Sequence, residues 1–202
     1  LDADITDVAS TYSKAGASII SVLTEPSKFS GSLDDLLSAR RAAQQVAESS
    51  GKPRPALLRK DFISRESQII EARAYGADCI LLIVACLTRS QLRDLVASCK
   101  KYDIQPLVEV HTTEEMTLAL DTEGVEFVGI NNRNLHNFEV SLDTTFELHH
   151  RIAENRLTIT ESGIMTRADV EAMTRRGIYG FLVGESFMRA PDPGEKLQEL
   201  FG

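Results

Sequence analysis

Seven short, apolar, β-rich runs alternate with longer helical patterns from one end of the chain to the other, and few folds accept that arrangement. The runs are SIISVLTE (18–25), PALLRKDF (55–62), DCILLIVA (78–85), QPLVEVH (105–111), EFVGINNR (126–133), LTITESG (157–163) and GFLVGES (180–186). Helical patterns cover 4–16, 32–51, 64–76, 88–102, 112–124, 143–155, 166–177 and 192–201. Ser, Thr or Asp caps open many of them and Gly closes several. Ser64 opens 64–76 as a loose capping pattern. Strands separated by helices run parallel, joined by helical crossovers. Runs that are apolar almost throughout belong to strands covered on both faces. Two α/β architectures fit: a (β/α)8 barrel and an open doubly wound sheet. No G-x-G-x-x-G follows a first strand, which weakens the dinucleotide-binding open sheet.

Polar groups gather where these strands end. Six of the seven runs finish in Thr24-Glu25, Arg59-Lys60-Asp61, Glu109 with His111, Asn131-Asn132-Arg133, Glu161-Ser162-Gly163 and Gly184-Glu185-Ser186; only ILLIVA lacks a charge. One strand-end charge is usually a solvated loop residue. The same ending on six parallel strands converges on one rim, and in a (β/α)8 barrel that rim is the active-site face. Side chains two apart on a strand share a face. If Lys60, Glu109 and Asn131 point into the mouth, then Arg59, Val110 and Asn132 point toward the helices. A lone buried Lys or Glu costs several kcal/mol unless paired. A Lys60–Glu109 pair across the mouth would satisfy both.

The late glycines form a second constellation. Gly163 follows TITES, Gly184 follows FLV, and a short extra helix is expected over 185–190, before Pro191. Glycine lets a ligand approach the backbone, and a helix N-terminus offers free N–H groups to an anion. Barrels often hold a phosphate after their last two strands.

Composition narrows the partners. A net charge of −8 argues against a general nucleic-acid binder, yet a local cluster still admits a small anionic ligand. No apolar run approaches the ~20 residues of a membrane span, and the start LDADITDVAS lacks signal-peptide features. Cys79, Cys86 and Cys99 read as reduced, buried cysteines. His149 and His150 are adjacent on a helix and point different ways, so no metal site is expected there. The Arg40-Arg41 and Arg175-Arg176 pairs read as solvated helix faces.

The compound pattern RKDF…LVEVH…GINNR…ESGI…VGES, running through essentially the whole chain, closely resembles the indole-3-glycerol phosphate synthase family. The resemblance implies a single (β/α)8 TIM-barrel domain over 1–202, the seven runs being strands 2–8 with helices 1–8. It implies decarboxylating ring closure and dehydration of 1-(2-carboxyphenylamino)-1-deoxyribulose 5-phosphate, without metal or organic cofactor. By resemblance, Lys60 is the general acid, for which a depressed pKa would suit. Glu109 stabilises the cationic intermediate. Asn131, Glu161 and Ser162 complete the catalytic rim. Arg133 binds substrate as a fork for its carboxylate, and Phe29 and Phe62 wall the aromatic ring. Gly163, Gly184 and the Glu185 backbone cradle the phosphate. His111, by its place in the strand, reads as a supporting hydrogen-bonding residue rather than a catalytic one. The location implied is cytoplasmic, or plastid in a photosynthetic eukaryote.

The chain departs from the family at its start. The family's first strand, with Glu-x-Lys and a Ser-Pro-Ser turn, has no match, nor has the extension before it. The sequence reads as the ordered part of a longer chain, then as a truncation, then as a seven-strand relic, in that order. Taken literally, it exposes the edges of SIISVL and GFLVGE and is expected to have little activity until that strand is supplied. Fusion to, or association with, other tryptophan-pathway domains is open. Two other readings stand beside this one: another phosphate-binding barrel, such as phosphoribosylanthranilate isomerase or the tryptophan synthase α subunit, and a non-enzymatic barrel module.

Overall fold

Every strand pairs in parallel with the strand before it in sequence, so chain order and spatial order coincide around one seven-stranded sheet. The computed structural model describes residues 4–134 and 137–202. Its elements are α1 (Ile5–Ala15), β1 (Ile19–Leu23), α2 (Pro26–Phe29), α3 (Leu33–Ser50), β2 (Ala56–Lys60), α4 (Glu66–Ala74), β3 (Cys79–Ile83), α5 (Arg89–Lys101), β4 (Gln105–Val110) and α6 (Thr113–Leu120). They continue with β5 (Phe127–Asn131), α7 (Asp143–His149), β6 (Leu157–Glu161), α8 (Arg167–Thr174), β7 (Gly180–Leu182), α9 (Glu185–Arg189) and α10 (Pro193–Phe201). A helix lies in every crossover, as the alternation predicts, and the sheet curls into a nearly closed (β/α) barrel rather than an open doubly wound sheet.

Strand parity sorts the core into two layers. Leu57, Ile80, Leu82, Val108, Val128 and Ile130 face outward and pack with Ala39, Ala43, Ile69, Leu92 and Met116 of the helices. Leu58, Leu81, Ile83 and Leu107 fill the barrel interior, joined by Phe127, Ile159 and Leu182. Burying each large side chain is worth about 1.5–3 kcal/mol, so a one-residue register slip, which would exchange the layers, is strongly disfavoured. Among the described residues β1 and β7 do not pair with each other. The inward residues Ile19 and Leu23 of β1 are accordingly 39% and 40% exposed. Outside that opening α10 packs on α1, and the rings of Tyr12 and Phe187 lie 5.7 Å apart.

Several helix starts follow their caps. Asp4 accepts from the Thr6 N–H at 2.7 Å, Ser32 from Asp35 at 3.0 Å and Asp192 from Gly194 at 2.8 Å. Thr88 and Gln91 form a reciprocal capping box. Other expectations need correction. Ser64 does not cap α4; instead Gln68 Oε1 accepts the amides of Ser64 and Arg65 at 2.9 and 3.1 Å. The helix expected over 143–155 ends at His149, because Arg151 and Ile152 close i→i+3 bonds and tighten the chain out of the α form. The strand expected over 180–186 keeps only Gly180–Leu182, paired on one side alone. The ILLIVA strand stops at Ile83 and enters a 3-10 turn, Val84–Cys86. That turn leaves Cys86 exposed and not buried; Cys79 is half-buried and Cys99 buried. Arg40 is not merely solvated: it pairs with Asp78 at 3.1 Å, where Arg54 also binds at 2.9 Å. No described helix is long and apolar enough to cross a membrane.

Candidate active site

The three charges that end β2 go three ways, which explains how a buried strand carries them. Arg59 faces outward and is 4% exposed. Its guanidinium donates to Thr24 Oγ1 at 3.0 Å, Asp61 at 3.0 Å, Glu71 at 2.9 Å and the Gln68 carbonyl at 3.0 Å. Asp61 turns back and accepts from Thr24 Oγ1 at 2.6 Å. Lys60, between them, faces the barrel mouth. A buried guanidinium is tolerable only with such partners, and here they lock β2 to β1 and α4 just below the rim.

Lys60 Nζ lies 3.2 Å from Glu161 Oε2 and 3.6 Å from Glu109 Oε2. The predicted Lys60–Glu109 pair is therefore present, with Glu161 the nearer partner. Both carboxylates are almost fully buried. Burial pulls the Lys60 ammonium toward neutrality, but the charges of Glu161 and Glu109 outweigh it and hold its pKa above the ordinary lysine value. The depressed pKa expected for a Lys acid is thus reversed: Lys60 stands protonated at neutral pH. Burial, with the Glu109 charge beside it, pushes the Glu161 carboxyl up to about 7 against the opposing pull of Lys60. Among the described residues its Oε1 has no hydrogen-bond partner. Room for that oxygen comes from Gly129, where a built Cβ would collide with Glu161 Oε1.

Asn131 joins the carboxylates to the end of β6. Its Nδ2 donates to Glu109 Oε1 at 3.1 Å, and its Oδ1 accepts from Ser162 Oγ and the Arg133 amide, both at 3.0 Å. His111 donates from Nδ1 to the Asn131 carbonyl at 2.6 Å. Asn132 and Val110 turn toward the helices, as parity requires. Ser162 (φ 65°) and Gly163 (φ 86°) are consecutive left-handed residues. A Cβ on Gly163 would also press on Val140 and Leu142.

The remaining predicted residues sit around the opening. Gly184 precedes α9, and space beside its Cα is open. The Glu185 side chain accepts from Arg133 at 2.8 Å and from Arg189 at 2.7 Å. Arg133 therefore reaches the rim with one arm of its fork held by Glu185 and the other 3.5 Å from the Phe138 carbonyl. Phe29 and Phe62 are 51% and 41% exposed, on α2 and just after β2. Lys28 Nζ stands 5.5 Å from the Phe62 ring centroid. Glu25 does not join the cluster; its carboxylate caps α2 by accepting from Lys28 N at 2.6 Å. Among the described residues no group of three or more His, Cys, Asp or Glu could hold a metal ion. Sequence reasoning missed Gly129, whose signal was a glycine inside the strand FVGIN, and Lys28, which carried none.

The family model described as indole-3-glycerol phosphate synthase matches residues 1–200. A multifunctional tryptophan biosynthesis protein of Schizosaccharomyces pombe is 49% identical over 99% of this chain. The chain spans about a quarter (26%) of that relative's length. Solved structures share the fold at low identity. 3-Hexulose-6-phosphate synthase from Salmonella typhimurium has a TM-score of 0.71 at 12% identity, covering 98% of this chain and 92% of that one. Tryptophan synthase subunit alpha from Legionella pneumophila has a TM-score of 0.64 at 13% identity, covering 96% of this chain and 83% of that one. Those likenesses show a barrel and nothing finer; the match over residues 1–200, with the 49% identity, shows that the chain belongs to the indole-3-glycerol phosphate synthase family.

Proposed function

We propose that this chain converts 1-(2-carboxyphenylamino)-1-deoxyribulose 5-phosphate to indole-3-glycerol phosphate, CO₂ and water. The observation that carries the reading is the Lys60 ammonium held between buried Glu161 and Glu109 at the barrel mouth, 3.2 and 3.6 Å away. Ring closure joins the carboxylate-bearing ring carbon to the ketone carbon. Lys60, protonated at neutral pH, supplies a proton to the ketone oxygen. Positive charge then develops on the ring nitrogen, and Glu109, fixed by Asn131, opposes it with little reorganisation. Loss of CO₂ restores aromaticity. Dehydration needs a group that gives and takes a proton near pH 7, and Glu161 is suited to it.

Phe29 and Phe62 flank the aromatic ring, Arg133 meets its carboxylate, and Gly163, Gly184 and the Glu185 amide receive the phosphate. The S. pombe relative's name supports a unit fused to, or working beside, other enzymes of tryptophan synthesis. A cytoplasmic location, or a plastid one in a photosynthetic eukaryote, goes with that pathway. The test is turnover of the carboxyphenylamino-deoxyribulose phosphate by the intact natural polypeptide, followed by indole fluorescence. Indole-glycerol phosphate formation that disappears in Lys60→Met is the expected result. Absence of product in the wild-type protein would overturn the reading.

A further inference from the structure

Asn132, just past the end of β5, turns its side chain toward α7 and away from the mouth. It is nonetheless among the most heavily bonded side chains described. It is 1% exposed, and Thr145 and Thr160 beside it are 0% exposed. Its Nδ2 donates to Thr160 Oγ1 at 2.9 Å and to the Ser162 carbonyl at 3.0 Å. Its Oδ1 accepts from Thr145 Oγ1 at 2.8 Å and from the Thr145 amide at 3.1 Å. Thr145 and Thr160 hydroxyls close the ring at 2.9 Å. Every hydrogen-bonding capacity of the amide is used, and β5, β6 and α7 meet in one closed polar ring.

We propose that Asn132 is a positioning residue for the catalytic rim, acting through Ser162. A serine at φ 65° is held in a conformation that costs of order 1–3 kcal/mol unless its surroundings impose it. Asn132 grips that residue by its carbonyl. The hydroxyl of the same serine donates to Asn131 Oδ1, and Asn131 Nδ2 donates to Glu109 Oε1. The chain Asn132–Ser162–Asn131–Glu109 carries the helix-side network through to the mouth. The same grip sets the left-handed turn at Gly163. The ring ends on Ser162, a left-handed non-glycine residue that begins the turn after β6. The kinetic part of this inference rests on the synthase reading; the structural part does not.

The test compares Asn132→Ala with Thr145→Val in the intact natural polypeptide, at a temperature where circular dichroism shows both folded. Thr145→Val strips bonds from the same ring but leaves the Asn132–Ser162 bond. Asn132→Ala is expected to lower kcat/KM by about tenfold to a hundredfold, mostly in kcat, and to speed amide hydrogen exchange at Ser162 and Gly163. Thr145→Val is expected to lower Tm while leaving kcat, KM and that exchange near wild type. Equal kinetic loss in both variants, or unchanged exchange at Ser162 and Gly163 in folded Asn132→Ala, overturns the proposal. If Asn132→Ala does not fold, Asn132→Asp keeps the volume, loses both Nδ2 donations and is judged by the same readings. A wild-type protein without turnover, whose exchange still responds to Asn132→Ala, would overturn the synthase reading and uphold the positioning role.

Discussion

The Lys60 ammonium and the Glu161 carboxylate meet at 3.2 Å although they lie 101 residues apart, on strands β2 and β6. Glu161 is the more burdened of the two, since one of its oxygens is buried without a hydrogen-bond partner among the described residues.

Replacing Glu161 by Gln should change how stability depends on pH. The folded-state pKa of Glu161 is raised to about 7, above the ordinary carboxylate value. A raised pKa favours the folded state while the group is protonated, and that contribution is lost as pH rises from the unfolded pKa through the folded one. Wild type should therefore lose Tm between about pH 4.5 and 7 relative to Glu161→Gln. Parallel Tm–pH curves for the two proteins would refute this. If Glu161 handles a proton in turnover, Gln at this position should also lower kcat.

Lys60→Met should leave two buried carboxylates, Glu109 and Glu161, with no cation between them. Removing one partner of a buried charge set costs about 3–5 kcal/mol; Lys60 is part-exposed, so the lower end is expected. The loss should be greatest at pH 8 and smaller at pH 5, where the two carboxylates can share a proton. Lys60 itself adds no slope in that range, because a raised lysine pKa matters only above the unfolded value of about 10.4. Denaturant melts at both pH values check this, and turnover should fall by at least about a hundredfold.

Gly129→Ala should act on Glu161 rather than on β5. The added Cβ collides with Glu161 Oε1, and overpacking of this kind costs about 1–3 kcal/mol. In a double-mutant cycle with Glu161→Ala, the Gly129→Ala penalty should largely vanish. Additive losses would mean that the glycine serves the strand and not the carboxylate.

Arg59→Met should destabilise the chain by about 3 kcal/mol, discounted because its partner Glu71 is 42% exposed. Thr24 and Asp61 would lose their shared donor, and the end of β2 would loosen. Chemical denaturation measures the first effect. A rise in hydrogen exchange at the Lys60 and Asp61 amides would report the second.

Much of this molecule was legible in its sequence. The alternation of apolar runs with capped helical patterns implied a parallel α/β fold and the polar strand ends favoured a barrel, because each feature is local: hydrophobic period, cap and strand parity act within a few residues. Parity set Lys60, Glu109 and Asn131 opposite Arg59, Val110 and Asn132, and the structure turns the first three to the mouth and the others toward the helices. Only the tertiary structure decided what those groups do to one another. That Glu161 outranks Glu109 as the partner of Lys60, that two carboxylates raise the lysine pKa instead of burial depressing it, and that Glu185 occupies one arm of Arg133 all depend on distances across the barrel. Local pattern is set by bonds along the chain, whereas a pKa or an ion pair is set by charges brought within a few ångströms from positions a hundred residues apart.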